Sequence, residues 1–369
     1  MKIPLLDLKR DWQEIKEEVE AGWREVTSSM QLLNGKNLLA FEKEAALYFG
    51  TKFAYGVGSG TEALWLALIA CGIGPGDEVI LQANAFAADV EAIKWAGARP
   101  VLVDIQEKDF GPDPEKIRAA VTPRTRALMV VHLYGHPLEM EPLLELADQH
   151  GLILIEDASH AHGAEYRGRK VGTFGKVGCF SCGVVKNLNA LGDAGLVITD
   201  DPEIAHRLKY LRVHGQVHKN DHHFYGFNAR LDELQAVVLR ARLKRLEAKN
   251  RRRREIARRY QQAFSEIEAL YLPPGEDEIK KPVFHRYVVR TSRRDELKAY
   301  LKEQEIGTGI YYPVPLHLQP AWQKEGYPTY ELPISERIAQ EILAIPLFPE
   351  MQEKEIERVC AVIREFFRV

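Results

Sequence analysis

The stretch ALMVVHLYGHPLEMEPLLELADQHGLILIEDASHAHGA (127–164) sets two runs that are apolar at nearly every position, ALMVVHLY and LILIEDAS, around a helical pattern beginning near Met140. Such runs suit strands buried on both faces, and the strand, helix, strand order suits a parallel pair. The same alternation extends in both directions, from Phe53 to about Arg212. Upstream lie FAYGVGS (53–59), EVILQ (78–82) and PVLVDI (100–105), and downstream lie GCFSC (178–182) and GLVIT (195–199). Helical patterns start near Thr61, Ala87, Pro114, Met140 and Pro202. The reading is an α/β protein whose large, mainly parallel sheet is covered by helices. Ligands bind such sheets at the carboxyl ends of the strands, and Ser59, Asp157 and Ser181 fall at or near those ends.

From about Leu246 a long basic helix leads into a smaller α+β region in which FHRYVVR (284–290) reads as a strand. A large domain over 1–245, with 1–25 packing outside it, and a small C-terminal domain over 246–369 suit a chain of 369 residues. The run RRRR at Arg251–Arg254 is expected to be a solvated face, with Leu239, Leu243, Leu246, Ile256 and Tyr260 as the buried stripe. No nucleic-acid reading module accompanies it, and a net charge of −3 gives no pull toward nucleic acid. With 46% hydrophobic and 28% charged residues the composition is that of a globular protein. The start, MKIPLLDLKRDW, places charges where a signal peptide needs an apolar core, and no stretch approaches the roughly 20 apolar residues that span a bilayer. A cytoplasmic protein without membrane partners is expected. Cys179 and Cys182 form a C-x-x-C with no second pair for zinc, and their spacing along a strand points the thiols to opposite faces. No metal site is expected.

Beyond LILIEDAS the chain reaches CFSCGVVKNLNALGDAG (179–195), where Lys186 follows Ser181 in a loop punctuated by Gly183, Gly192 and Gly195. A lysine held by a structured core near a strand-end aspartate, here Asp157, is what a Schiff-base cofactor needs. The amine forms an imine with an aldehyde, and the carboxylate keeps the cofactor's ring nitrogen protonated so that it draws electrons. Taken alone, Lys186 also reads as a surface lysine in a loop. GSGTEAL (58–64) follows a strand and opens a helix, so the N–H groups of Gly60 and Thr61 face an incoming anion with the helix dipole behind them. Gly58 and Gly60 are expected to let the backbone turn tightly. An N-capped turn without a ligand is the alternative.

GSGTEAL, GIGPGDEVI (72–80), VHLYGHP (131–137), EDASHAHGA (156–164), the lysine segment, GFNARLDELQA (226–236), YYPVPLHLQPA (311–321) and PLFPEM (346–351) follow one another in this order. Together they resemble the DegT/StrS-type sugar aminotransferases over nearly the whole chain. The resemblance implies fold type I of the enzymes that use pyridoxal 5'-phosphate (PLP), with pyridoxamine phosphate as the intermediate form. It makes Lys186 the Schiff-base lysine and sets Asp157 against the pyridine nitrogen. It places the phosphate at Gly60, Thr61 and the Ser181 hydroxyl. Phe86, in ANAFAAD (83–89), matches the aromatic that stacks on the ring, although read alone it is a core residue. His160 stands where the family commonly has a glutamine bonded to the PLP phenolic oxygen. Asn228 matches an asparagine that reaches the phosphate of a partner chain, which implies a homodimer with shared active sites. An N-cap for the RLDELQA helix is the alternative for Asn228. Tyr312 and His317 are implied near the substrate, with a structural role equally open for His317. Two positions depart from the pattern. Cys182 replaces the second aromatic of F-S-F, and Tyr311 replaces the histidine of H-Y-P.

The reaction implied moves an amino group from glutamate to a keto-sugar, most often a nucleotide-linked 3- or 4-keto-(deoxy)sugar, in amino-sugar biosynthesis. HAHG resembles the cyclitol-aminating branch and KNLNALGDAG the sugar-nucleotide branch, so a scyllo-inosose-type acceptor stays open. Relatives that dehydrate sugars have histidine where this chain has Lys186. A regulator that keeps the fold without catalysis is a further alternative. The retention of Lys186, Asp157 and Ser181 together argues against it.

Overall fold

A computed structural model describes residues 1–368. Strands β1 (Phe53–Val57), β2 (Glu78–Gln82), β3 (Arg99–Val103), β4 (Thr125–Val131), β5 (Ile153–Asp157), β6 (Val177–Ser181) and β7 (Gly195–Thr199) form one sheet in the order β1-β7-β6-β5-β4-β2-β3. The pairs from β6 through β3 are parallel, and β7 runs antiparallel to both of its neighbours. Successive side chains feed opposite layers. Val79, Leu81, Met129 and Ile155 pack with Leu64 and Leu68 of helix Gly60–Ala70. Ile80, Leu128 and Val130 meet Leu143 and Leu146 of helix Met140–Gln149 on the other face. Cys179 belongs to the first layer and Cys182 to a different core, both as buried free thiols, so the two face apart as their spacing requires.

The helices begin at Gly60, Ala87, Pro114, Met140 and Pro202, at or within one residue of their sequence signals. Helix Leu246–Phe264 leads into a second core built on strands Tyr287–Arg290 and Ile342–Ile345, which pair antiparallel. Tyr260, Val289, Leu297, Leu343 and Val359 fill that core. FHRYVVR is a strand only from Tyr287, because Phe284 sits at φ 43, in the left-handed region. The amino terminus joins the same half. Ile3 is buried in it and donates its N–H to Glu305 O at 2.9 Å, while Ile15, Val19 and Val26 of helix Leu8–Ser29 pack on Val237, Val238 and Ala241. No helix among the described residues is long and apolar enough to cross a membrane.

The arginine run departs from the expectation of a solvated face. Arg251 is exposed, but Arg253 and Arg254 are buried, and Arg254 pairs with Glu247 and Glu276. Four consecutive residues cover a full helical turn, so a helix packed on two sides must turn some of them inward. The expected apolar stripe is buried throughout: Leu239, Leu243, Leu246, Ile256 and Tyr260.

Two buried carboxylates fix the frame around the sheet. Asp104, just past β3, accepts the N–H groups of Ile334 (3.0 Å) and Ser335 (2.8 Å) and the Ser335 hydroxyl (2.7 Å), which ties helix Pro333–Glu341 to the large sheet. Glu233 is 1% exposed and accepts the N–H groups of Gly35 (2.9 Å), Asn37 (3.0 Å) and Leu38 (2.9 Å). Helix Lys36–Phe49 has glycine at its N-cap and therefore no capping side chain of its own, so a carboxylate 196 residues away from Asn37 supplies the cap. Glu233→Ala leaves these donors buried without an acceptor and should cost about 2–4 kcal/mol. Urea unfolding should show this loss, with Glu233→Gln falling between mutant and parent; an unchanged midpoint in Glu233→Ala would mean that the cap is dispensable.

Candidate active site

A cavity of about 200 Å³ opens at the carboxyl ends of the central strands. One wall is the start of helix Gly60–Ala70. Ser59 caps that helix by accepting the Glu62 N–H at 3.1 Å, and Glu62 in turn accepts the Gly58 N–H at 2.7 Å. Gly60 and Thr61 lie in the first turn, where amides have no intrahelical acceptor, and both line the cavity. Neither Gly58 nor Gly60 adopts the left-handed region, so the expected tight turn is not what requires glycine. Proximity requires it at Gly60: a Cβ there would lie 2.5 Å from the Ser181 Cβ. Gly195 repeats the constraint, since its Cβ would lie 2.2 Å from Ser59 O. Helix end and strand end are therefore in backbone contact, with the Ser181 hydroxyl beside the free amides.

Asp157 closes β5 and is 6% exposed. Its Oδ1 accepts the Ser159 N–H at 2.9 Å, and the Ser159 hydroxyl accepts the Ser181 N–H at 2.8 Å. The loop after β6 folds on itself. Lys186 donates its N–H to Gly183 O (2.9 Å), Asn189 bonds Val184 O (2.9 Å), and Ala190 donates back to Cys182 O (2.7 Å). Lys186 lines the same cavity as Asp157, so the surface reading of this lysine fails. Burial pushes its ammonium down to about 8, against the pull of Asp157 and with a further push from Arg286.

His160 is buried and lines the cavity. Its Nδ1 accepts the Tyr134 N–H at 3.3 Å, so a neutral ring carries its proton on Nε2. Burial keeps it neutral, holding its pKa well below the usual histidine value, with Lys186 and Arg286 acting the same way. That Nε2 sits 3.4 Å from the Tyr312 hydroxyl. Tyr312 comes from the C-terminal half and adopts φ 62, a conformation bulky side chains rarely take. It is held there by Leu316 N–H on Ala83 O (2.9 Å) and by the Tyr134 hydroxyl on Tyr311 O (3.3 Å). Phe86 is 55% exposed at the mouth, its ring centroid 5.7 Å from that of Tyr312, and so is not the core residue its composition suggests.

Two sequence candidates lie elsewhere in the protomer. His317 is buried away from the cavity and its Nε2 bonds Glu336 at 3.0 Å. Asn228 is exposed and accepts the Arg230 Nε–H at 2.8 Å. It does not cap the following helix, which starts at Glu233 behind Asp232. Residues absent from the sequence reading include Asp89, fully buried in the cavity wall, and the His132–Glu156 pair beneath it. Leu138 N–H donates to His132 Nδ1, so His132 donates from Nε2 to Glu156 at 2.9 Å, and Glu156 also accepts the N–H groups of Gly172 and Gly175. Nothing local in the sequence announces these contacts, which join residues far apart in the chain.

An amine, a carboxylate, a helix end with free amides and a hydroxyl beside it, and an exposed aromatic ring thus share one small cavity. This donor set suits a flat, aldehyde-bearing heterocycle with a phosphate arm. The profile of the DegT/DnrJ/EryC1/StrS aminotransferase family matches residues 13–364. The chain belongs to this family. It is 45% identical over 368 residues to dTDP-3-amino-3,4,6-trideoxy-alpha-D-glucose transaminase of Streptomyces venezuelae, covering 99% of this chain and 96% of that one. It is 42% identical over 369 residues to a "Pleiotropic regulatory protein" of Geobacillus stearothermophilus, covering 100% and 99%. It is 40% identical over 362 residues to UDP-N-acetyl-3-dehydro-alpha-D-glucosamine 3-aminotransferase of Acidithiobacillus ferrooxidans, covering 98% and 97%. Among solved structures, S. venezuelae DesV superposes with a TM-score of 0.96 at 44% identity, over 100% of this chain and 99% of that one. NtdA of Bacillus subtilis, solved with bound pyridoxamine phosphate, superposes with a TM-score of 0.93 at 30% identity, over 100% and 86%. The fold is that of the type I PLP enzymes and the protein is a PLP-dependent aminotransferase.

The low pKa of Lys186 has a kinetic consequence. Only the neutral amine attacks an aldehyde, and its fraction grows as pH rises through the pKa. Covalent uptake of PLP by the apoprotein, read as cofactor fixed to Lys186 by borohydride, should accelerate with pH and level off above about 8. A rate still climbing toward 10.5, the ordinary lysine value, would place the amine in open solvent.

Proposed function

We propose that this enzyme moves an amino group from glutamate to a nucleotide-linked keto-sugar, with a 3-keto-(deoxy)sugar as the first choice, in cytoplasmic amino-sugar biosynthesis. The observation that carries the reading is that the half-buried Lys186 and the Asp157 carboxylate line one cavity with Gly60, Thr61 and Ser181, and that burial lowers the lysine's pKa. The choice of the 3-position is supported by two relatives whose names place the nitrogen or the keto group at carbon 3 of a dTDP- or UDP-sugar.

PLP, when bound, supplies an electrophilic carbon and an electron sink. The chain's residues divide the remaining work. The amides of Gly60 and Thr61 and the hydroxyl of Ser181 bind the phosphate without adding charge. Asp157 would hold a proton on the ring nitrogen, and Phe86 at the mouth would cover a face of the ring. His160 offers its Nε2 proton to the phenolic oxygen. Lys186 Nζ, its pKa lowered by burial, would take and return the proton at the substrate carbon, which a lysine of ordinary pKa would do less readily. Residues 1–245 form the cofactor-binding domain, and 246–369 bring Tyr312 to the mouth. His317, engaged by Glu336, supports that segment rather than touching substrate.

The two competing readings are weaker. HAHG is accounted for without a cyclitol: His160 faces the cavity, while His162 is fully buried and its carbonyl accepts the Asn250 amide at 2.8 Å. A binding-only regulator, suggested by the name of one relative, has no need of a lysine whose proton affinity is tuned by burial. Glutamate should convert the visible absorbance of bound PLP to that of pyridoxamine phosphate, and dTDP- or UDP-linked 3-keto-sugars should reverse it. The Lys186→Ala variant should lose several orders of magnitude in this conversion. Reversal by scyllo-inosose alone would sink the sugar-nucleotide reading, and no conversion with glutamate would favour the regulator.

The enzyme is further proposed to be a homodimer whose Asn228 completes the partner's phosphate site. Because Arg230 occupies its Oδ1, the free end of Asn228 is its N–H₂ group, a neutral donor on an exposed segment. Asn228→Ala and Lys186→Ala chains, each nearly inactive alone, should regain activity when mixed, since a mixed dimer keeps one site with both residues intact. No recovery from two inactive parents, or full activity of Asn228→Ala alone, rejects the shared site.

A further inference from the structure

Asp89 is the residue of the cavity wall to which the reaction above assigns nothing. It sits in the first turn of helix Ala87–Trp95, is 0% exposed, and neither carboxyl oxygen makes a hydrogen bond of good geometry. An aspartate at that helical position commonly turns back to the backbone in front of the helix. Here the carboxyl lies in the wall of the cavity that Asp157 and Lys186 also line. Two carboxyl groups that meet out of water cannot both ionise, because each charge raises the cost of the other. Which of the pair keeps the charge is settled by its partners. Asp157 accepts the Ser159 N–H at 2.9 Å, whereas Asp89 makes no hydrogen bond of good geometry and has only the weak influence of the Phe86 amide.

We propose that Asp89 is a positioning residue that stays neutral and donates its proton as a hydrogen bond to Asp157, so that the two carry a single negative charge. Burial raises the Asp89 pKa well above the usual carboxyl range, the Asp157 charge and hydrogen bond raise it further, and the Lys186 ammonium and Phe86 amide oppose this more weakly. The other titratable groups facing it are Cys179 from β6 and Tyr312 from the C-terminal half, both held in their neutral forms by burial. The donated hydrogen bond holds the Asp157 carboxylate in place while leaving the pair's single charge to the ring nitrogen, where the aminotransferase reaction needs the proton. The inference rests on the assignment of Asp157 to the ring nitrogen made above, but the carboxyl pair itself belongs to the protein alone.

The infrared spectrum tests the pair without any reaction. Wild-type protein at mildly alkaline pH should show the C=O stretch of a neutral carboxyl, and Asp89→Asn should lose it. In the holoenzyme, Asp89→Asn keeps an N–H donor for Asp157 and should leave in place both the affinity for pyridoxamine phosphate and the pH midpoint of the bound PLP absorbance. Asp89→Leu keeps the volume but cannot donate, and should weaken pyridoxamine phosphate binding by about tenfold or more. If Asp89→Leu does not fold, the spectrum and Asp89→Asn still decide. The proposal is overturned by a wild-type spectrum without the neutral-carboxyl band. It is equally overturned by a midpoint that falls by about one unit or more in Asp89→Asn, the mark of a lost charge, or by an Asp89→Leu that binds like wild type. Failure of amino transfer with an intact infrared difference would reject the proposed reaction and leave the pair standing.

Discussion

The site depends on one close approach, that of the start of helix Gly60–Ala70 to the end of β6. No side chain fits between Gly60 and Ser181, and none fits between Gly195 and Ser59 O. Because these backbones touch, the helix amides, the Ser181 hydroxyl and the loop bearing Lys186 open into one cavity. Antiparallel β7 contributes directly, since Gly195 at its start pairs with Ser181 and with Val57, the last residue of β1. A methyl group at either glycine would separate the anion-binding end from the amine and aspartate. The sheet's order matters because it places these contacts at the carboxyl ends of β1, β5 and β6, where helix dipoles and free amides converge.

Burial then sets the proton inventory. His160, His162 and His285 are driven toward the neutral form chiefly by desolvation, and Lys186 is driven the same way. Among the described residues the cavity wall has no arginine and no lysine besides Lys186. A phosphate bound there would meet dipoles and hydroxyls from this chain, which would orient it without competing for the proton on Lys186. Anionic partners close to Lys186 would act against its function. Asp157 already pulls its pKa upward, and a second ionised carboxylate at Asp89 would strengthen that pull. Keeping one of the two carboxyls neutral therefore serves the lysine as well as the ring nitrogen.

Much of this was legible because the informative signals were local. Strand runs apolar at every position, helix starts marked by glycine or proline, and strand ends carrying Asp157 and Ser181 are properties of short segments. What escaped was contact between distant segments. Asp89 reads as an ordinary first-turn aspartate until β5 brings Asp157 beside it. His132 and Glu156 sit 24 residues apart and look like a loop histidine and a strand acid. Arg253 and Arg254 read as solvated because the charge run hides the second packed side of their helix. The sequence reads Gly60 as a tight-turn glycine, but its backbone angles are ordinary, and what excludes a side chain there is Ser181, 121 residues away.

The size of the cavity explains why the sequence says so little about the sugar. About 200 Å³ is below the few hundred Å³ typical of pockets that enclose a drug-sized ligand. It suits the reacting part of cofactor and substrate, and a nucleotide attached to the proposed sugar substrate would have to lie beyond the mouth. Phe86 and Tyr312 frame that mouth, and the strained φ of Tyr312 shows that its position is imposed by the segment tied to Ala83 and Tyr134. Residues that read the nucleotide must therefore come from exposed surface or from a second chain, where local sequence carries no periodicity or burial pattern to decode. The chemistry of amino transfer is written in the strand ends. The choice of sugar is written in whatever surface closes over them, and Tyr311, in place of the expected histidine beside Tyr312, is a departure at that mouth, with His160 in place of the common glutamine behind it.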